Sequence, residues 1–184
     1  MILLHFESHS TSTDNEAGLA SGCFDSPLSP RGEKQARDLG RRYRKVELDV
    51  VFCSDLERSW RTAEIAFAKR GTRVVRDARL RECNFGEWAR RPKPEIEAER
   101  RNRVTQPFPG GESYQQAAMR MHSFLADLRA MHDGECVLVI GHRATQCGLD
   151  HWIKAVPLET AVSAAWHWEP GWTYTFDSLP RWGG

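Results

Sequence analysis

Short apolar runs alternate with helix-patterned stretches along most of this chain, and that alternation restricts the fold more than any other feature. Ile2 to Phe6, Val50 to Cys53 and Val137 to Ile140 are brief, aliphatic and bounded by polar or turn-forming residues. Runs of that kind read as buried strands. Thr72 to Val75 is a shorter fourth. Between them lie helical patterns. Ser29 is placed to cap a helix with Pro30 at its first position, running from Arg31 to about Lys45. A second runs from Asp55 to about Lys69. A third spans Glu112 to Met131, with Ala117, Met121, Phe124, Leu125 and Leu128 on one face and Gly134 as its stop. Arg143 to Ile153 makes a fourth. Strand–helix alternation implies a mostly parallel central sheet with helices on both faces, an α/β three-layer sandwich. Near the end, Val162 to Trp168 and Thr173 to Phe176 are expected to form a hairpin about Glu169-Pro170-Gly171.

The remaining stretches are irregular. Residues 8 to 29 are rich in Ser, Thr, Asn, Asp and Gly, which makes a long loop, and long loops in compact domains are often functional. Residues 80 to 88 have no clean period. Residues 90 to 106 are dense in Arg, Glu and Pro and read as a solvated helical excursion, ended by Pro107-Phe108-Pro109-Gly110-Gly111.

The 184 residues suit one domain over 1–184. A formal net charge of +1 gives no general attraction to nucleic acid, and no apolar run is long enough to cross a bilayer. With no basic, cleavable leader at the N-terminus, a cytoplasmic location is expected. The five cysteines are odd in number and lack paired metal-ligand spacing, so neither a zinc site nor a disulfide framework is expected.

Two of the apolar runs meet a histidine: His5 in the first, His142 after Gly141 in the last. The second run ends at Ser54 and leads to Arg58. In open α/β sheets, ligands collect beyond the carboxyl ends of the strands. Two imidazoles and a guanidinium gathered there suit a phosphate. Arg binds its oxygens in pairs, and a neutral imidazole can attack phosphorus. A second, charged imidazole can stabilise the transferring group. Glu82 could protonate the leaving oxygen, and the helix after His142 could aim N–H groups at the anion.

Six segments, in order, resemble the histidine phosphatase, or phosphoglycerate mutase-like, superfamily. Leu4-His5-Phe6-Glu7-Ser8 falls where the family has Arg-His-Gly-Glu-Ser/Thr. Asp25-Ser26-Pro27-Leu28-Ser29, with Gly32, Gln35 and Ala36, resembles its Asp-x-Pro-Leu-Ser/Thr segment. Ser54-Asp55-Leu56-Glu57-Arg58 with Thr62-Ala63, Leu80-Arg81-Glu82 with Phe85-Gly86-Glu87-Trp88, and Pro109-Gly110-Gly111-Glu112-Ser113 resemble the next three. Val137 to His142 resembles the strand ending in Ser-His-Gly. The resemblance implies a phosphoglycerate mutase-like fold and hydrolysis of a small phosphorylated metabolite or phosphoprotein. His5 would be the phosphohistidine nucleophile, Glu82 the general acid and His142 the stabilising histidine. Arg58 would clamp phosphate, with Ser8 beside it in the pocket. It also implies no metal and no organic cofactor.

In this alignment the family's first-motif Arg is Leu4 and its Gly is Phe6. A lost clamp forfeits about 1.5–3 kcal/mol of phosphate binding. Arg143 is the expected replacement. The departures also leave an alternative: a non-catalytic or altered-chemistry relative that binds an anionic ligand or a protein partner. The loop after the first strand is about three residues longer than the family's, counted from His5. The other histidines, including nearby His9, carry no motif and read as surface or packing residues. Trp152, Trp166, Trp168, Trp172 and Trp182 cluster late, as core or interface residues do, which accommodates a homodimer.

Overall fold

The computed structural model describes residues 1–180. Its sheet has five strands: β1 (Ile2–Ser8), β3 (Val50–Cys53), β4 (Arg73–Arg76), β6 (Cys136–Gly141) and β7 (Trp172–Phe176). They lie in the order β4-β3-β6-β1-β7. All adjacent pairs are parallel except β1 with β7.

Alternation along the strands sorts side chains to two faces. Ile2, Leu4, Phe6, Phe52, Val137 and Val139 pack with Met121, Phe124, Leu125 and Leu128 of α5 (Tyr114–Met131). On the same side lie Leu149 and Trp152 of α6 (Arg143–Lys154). Val51, Cys53, Leu138 and Ile140 face the other way, toward Leu39 of α2 (Pro30–Arg42) and Ala63 and Phe67 of α3 (Glu57–Phe67). The result is the expected α/β sandwich: helix, mostly parallel sheet, helix. The predicted Ser29 cap forms, and Ser113 adds a second. Ser29 Oγ accepts the Gly32 N–H at 3.1 Å, and Ser113 Oγ accepts the Gln116 N–H at 3.2 Å.

The stretch from 8 to 29 is not wholly irregular. It holds a short α1 (Thr13–Glu16), capped by Ser12, and β2 (Leu19–Ala20). β2 pairs with β5 (Arg91–Pro92), which opens the excursion and leads into α4 (Lys93–Glu99) and a 3-10 turn, Arg100–Arg103. The excursion has its own apolar support, in which Phe85, Ile96, Val104, Phe108 and Tyr114 are buried together. Gly86 makes this packing possible. Its φ is +54°, and a Cβ there would sit 2.1 Å from the Pro109 carbonyl oxygen, so the two loop motifs meet backbone to backbone.

The late hairpin does not form. Leu158, Ala161 and Val162 recur at helical spacing and bury one face of α7 (Leu158–Ser163). Residues 164 to 171 follow in irregular conformation, and β7 pairs with β1 alone. Trp182 lies outside the described residues. No helix among the described residues is long and apolar enough to cross a membrane.

Candidate active site

The register of the sheet decides which histidines meet. Ser8 pairs with Gly141, the last residues of β1 and β6. The next residue on each chain is a histidine: His9 and His142. Their ring centroids are 4.9 Å apart, and the His9 N–H donates to the Gly141 carbonyl at 3.0 Å. His5 is four residues earlier on β1, about 13 Å away along a strand. It stands on the α2 side, edge-on to Tyr43 at 5.9 Å, with Nδ1 3.3 Å from the Thr173 hydroxyl. It does not line the cavity at the strand ends, whereas His9 does. The expected placement of His5 is therefore corrected to His9.

That change of frame also resolves the long loop. Counted from His9, Ser8-His9-Ser10-Thr11-Ser12 takes the place of Arg-His-Gly-Glu-Ser/Thr, and the excess length before Asp25 disappears. The residue standing where the family has Arg is then Ser8, not Leu4. Leu4 is a fully buried core residue, and Phe6 belongs to the same core.

His9 Nδ1 lies 2.8 Å from the Ser10 carbonyl oxygen, which can only accept, so Nδ1 carries the proton. Nε2 is left with the lone pair. Desolvation, with the Arg58 charge second, pushes the His9 pKa down to about 3, so the ring is neutral near pH 7. His142 is 1% exposed and sits behind His9 rather than on the cavity wall. Its Nε2 is 2.6 Å from Ser54 Oγ, and its Nδ1 is buried without a hydrogen-bond partner among the described residues. Burial, then Arg58, holds its pKa well below the usual value.

Arg58, from the first turn of α3, is 2% exposed and still reaches the cavity. Its terminal nitrogens donate to the Phe24 carbonyl at 2.9 Å and the Gly22 carbonyl at 2.6 Å. The motif residues around it act as struts. Thr62 Oγ1 donates to the Arg58 carbonyl at 2.6 Å and accepts the Ser10 N–H at 3.0 Å, tying α3 to the His9 loop. Gln35 Oε1 accepts the Thr11 N–H at 2.9 Å. Gly32 lets α2 approach that loop, since a Cβ would fall 2.0 Å from the Thr11 carbonyl oxygen.

Glu82 lines the cavity at the N-terminus of α6. Oε1 accepts the Cys83 and Ala144 N–H groups at 2.8 and 3.0 Å, and Oε2 accepts the Arg143 N–H at 3.0 Å. The first N–H groups of α6, expected to face an anion, are thus held by an internal carboxylate. Arg143 is also redirected. Its guanidinium donates to Gln146 and to the Ala161 and Ala164 carbonyls at 2.7–3.0 Å. That geometry fastens α7 to α6, so the expected replacement clamp is spent elsewhere. Ser8 lies in the cavity wall, as do Trp166 and Trp168, which the spacing had assigned to a strand.

The cavity encloses about 710 Å³, within the range of small-molecule sites and far larger than one phosphate needs. A neutral imidazole with a free lone pair, beside a buried guanidinium, is equipped to accept a phosphoryl group covalently. The class these features define is a phosphoryl-transfer enzyme on a mostly parallel α/β sheet. A sequence model of the histidine phosphatase superfamily (branch 1) matches residues 5–168, and the chain belongs to that superfamily, as a histidine-type phosphatase. It is similar to phosphoserine phosphatase 1 of Hydrogenobacter thermophilus, 34% identical over 81% of this chain and 76% of that one. It is also similar to a probable phosphoglycerate mutase, GpmB, of Salmonella choleraesuis, at 35% identity over 77% of this chain and 70% of that one. Among solved structures, Bacillus stearothermophilus YhfR superimposes with a TM-score of 0.82 at 25% identity, over 92% of this chain and 88% of that one.

The two neutral histidines have a measurable consequence. Each titrates near 6.5 when unfolded but far lower when folded, His9 at about 3. Between those values the unfolded chain binds protons that the native rings refuse, so acid favours unfolding. Their contribution should be intact above pH 6.5 and fall as pH drops toward 3, by up to about 1.4 kcal/mol per pH unit for each ring. Denaturant unfolding at pH 7, 6, 5 and 4 checks this, and His9→Gln should flatten the slope by its share.

Proposed function

We propose that the protein hydrolyses small phosphomonoesters through a phosphohistidine at His9. The observation that carries this reading is the fixed tautomer of His9, with the Nε2 lone pair free in a cavity it shares with Arg58 and Glu82. Nε2 attacks phosphorus, the ester P–O bond breaks, and the alcohol leaves with a proton from Glu82. Among the described residues Oε2 of that carboxyl accepts one N–H, which leaves a position for the proton. Water then attacks the phosphohistidine, Glu82 takes the water's proton, and phosphate departs with the imidazole restored. His142 supports the step from behind. Donation of the Ser54 hydroxyl proton to its Nε2 leaves Nδ1–H as an unsatisfied donor that a phosphoryl oxygen on His9 would satisfy.

The relatives carry both phosphatase and mutase names. Hydrolysis is favoured here over a glycolytic mutase because the chain is small and its excursion short. A non-catalytic binding role gains no support from the retained carboxyl and imidazoles. The test is a phosphomonoester panel, including phosphoserine and 3-phosphoglycerate, scored for inorganic phosphate and for isomerised product. Phosphate release, with a phosphoenzyme stable in alkali and lost in acid, is the expected result. Isomerisation without release, or no turnover on any ester, would overturn the reading.

A further inference from the structure

The chain carries Ser8 where its superfamily has a clamp arginine, so a phosphoryl group on His9 would lack one of its expected cations. We infer that Arg100, at the junction of α4 and the 3-10 turn that follows, supplies that cation. The inference rests on the phosphoryl-site reading above.

Most of the cavity's other cations are already engaged. Arg42 is paired with Glu7 at 2.7 Å, and Lys93 faces Glu97 at 3.6 Å. Arg143 is held by carbonyls of α7 and the residue beyond it. Arg58 is anchored by two carbonyls while it faces the histidines. Arg31 is exposed at the start of α2. Arg100 differs from all of these. It lines the cavity, it is partly buried with its Nε sequestered from solvent, and among the described residues none of its side-chain nitrogens has a hydrogen-bond partner. Among the described residues no carboxylate is in ion-pair contact with it. Beyond burial, the groups that act on it electrostatically are first the Tyr114 phenol and then Glu82, the carboxylate bound to the N-terminus of α6 beside His142.

A guanidinium partly withdrawn from water, with its buried Nε left without a bonded partner, is costly to keep. An anion that enters the cavity next to Glu82 and His9 would meet it. A tetrahedral phosphoryl group has the oxygens to accept a forked pair of N–H bonds. The superfamily's clamp leaves from the end of β1. Here the equivalent charge would arrive from the excursion instead, across the same cavity.

Inorganic phosphate binding, measured by calorimetry, and p-nitrophenyl phosphate kinetics test this together. Arg100→Gln should weaken phosphate and lower kcat/KM by about 10- to 150-fold each, the range for one charge-assisted pair. Arg100→Lys should retain most of the phosphate affinity. Ser8→Arg placed on the Arg100→Gln background should recover at least tenfold in both readouts, which a merely structural role for Arg100 would not permit. Unchanged phosphate affinity in Arg100→Gln, or turnover lost without any loss of affinity, overturns the inference. Failure of Ser8→Arg to rescue overturns the substitution of one clamp by the other. Phosphate binding needs no turnover, so an enzyme that binds phosphate through Arg100 but hydrolyses nothing would sink the hydrolase reading and spare this one.

Discussion

Replacing His9 with alanine should lower turnover by about 10⁴-fold or more and abolish the trapped phosphoenzyme, whereas His5→Ala should stay within about threefold of wild type. Losing a covalent nucleophile removes the route itself, and what remains is whatever the pocket does by binding and electrostatics alone. His5 has no such stake. Its ring leans on Tyr43 and its Nδ1 meets the Thr173 hydroxyl on the edge strand. His5→Ala should therefore cost about 0.5–1.5 kcal/mol of stability, the worth of one aromatic contact, with little change in kcat. Side-by-side kinetics and melting curves separate the two. A dead His5→Ala with a normal melting temperature would mean that the catalytic histidine has been misplaced by four residues.

The second large effect concerns stability. Leu4→Arg should leave little soluble folded protein. Leu4 is 0% exposed and sits among Ile2, Phe6, Val137 and Val139 beneath α5. A guanidinium there has no partner, and an unpaired buried charge costs several kcal/mol, on the order of 3–5. Domains of this size hold only about 5–15 kcal/mol in total. Ser8→Arg should be tolerated, since Ser8 borders the cavity and a long side chain can extend into it. Thermal melts of the two variants decide. A Leu4→Arg protein that melts like wild type would contradict the assignment of β1's faces.

Those two contrasts mark where the sequence was readable. Two of the three interior strands announce themselves because both faces are covered, so Val50 to Cys53 and Val137 to Ile140 carry no polar interruption. β1 is different. One face is apolar throughout, Ile2, Leu4 and Phe6, while the other carries Leu3, His5 and Glu7 toward α2. Glu7 survives there because Arg42 pairs with it. An apolar run that stops at Phe6 is thus shorter than the strand, and the histidine inside the run is not the one at the strand's end. The spacing back from Asp25 held the missing signal. The roles of Glu82 and Arg143 depended on something no local pattern contains, namely which donors the N-terminus of α6 would spend on its own chain. Trp166 and Trp168 looked like strand residues because alternation was read across the end of a helix. Arg100 sat in a charged stretch that reads as solvated surface, and only the packing of α4 against the cavity distinguishes it from its neighbours.

The separate apolar cluster beneath the excursion has an evolutionary reading. Ile96, Val104 and Phe108 seal α4 and its turn onto Phe85 and Tyr114, away from the side chains that hold the sheet. Changes at the excursion's cavity-lining positions Lys93 and Glu97 would alter the roof without touching the strand ends that set His9 and His142 at 4.9 Å. The cavity's roof and the imidazole pair are therefore carried by different parts of the chain, with Arg100 reaching from one toward the other. Substitutions in the excursion can then change which leaving group fits, provided Arg100 is kept to meet the phosphoryl oxygens.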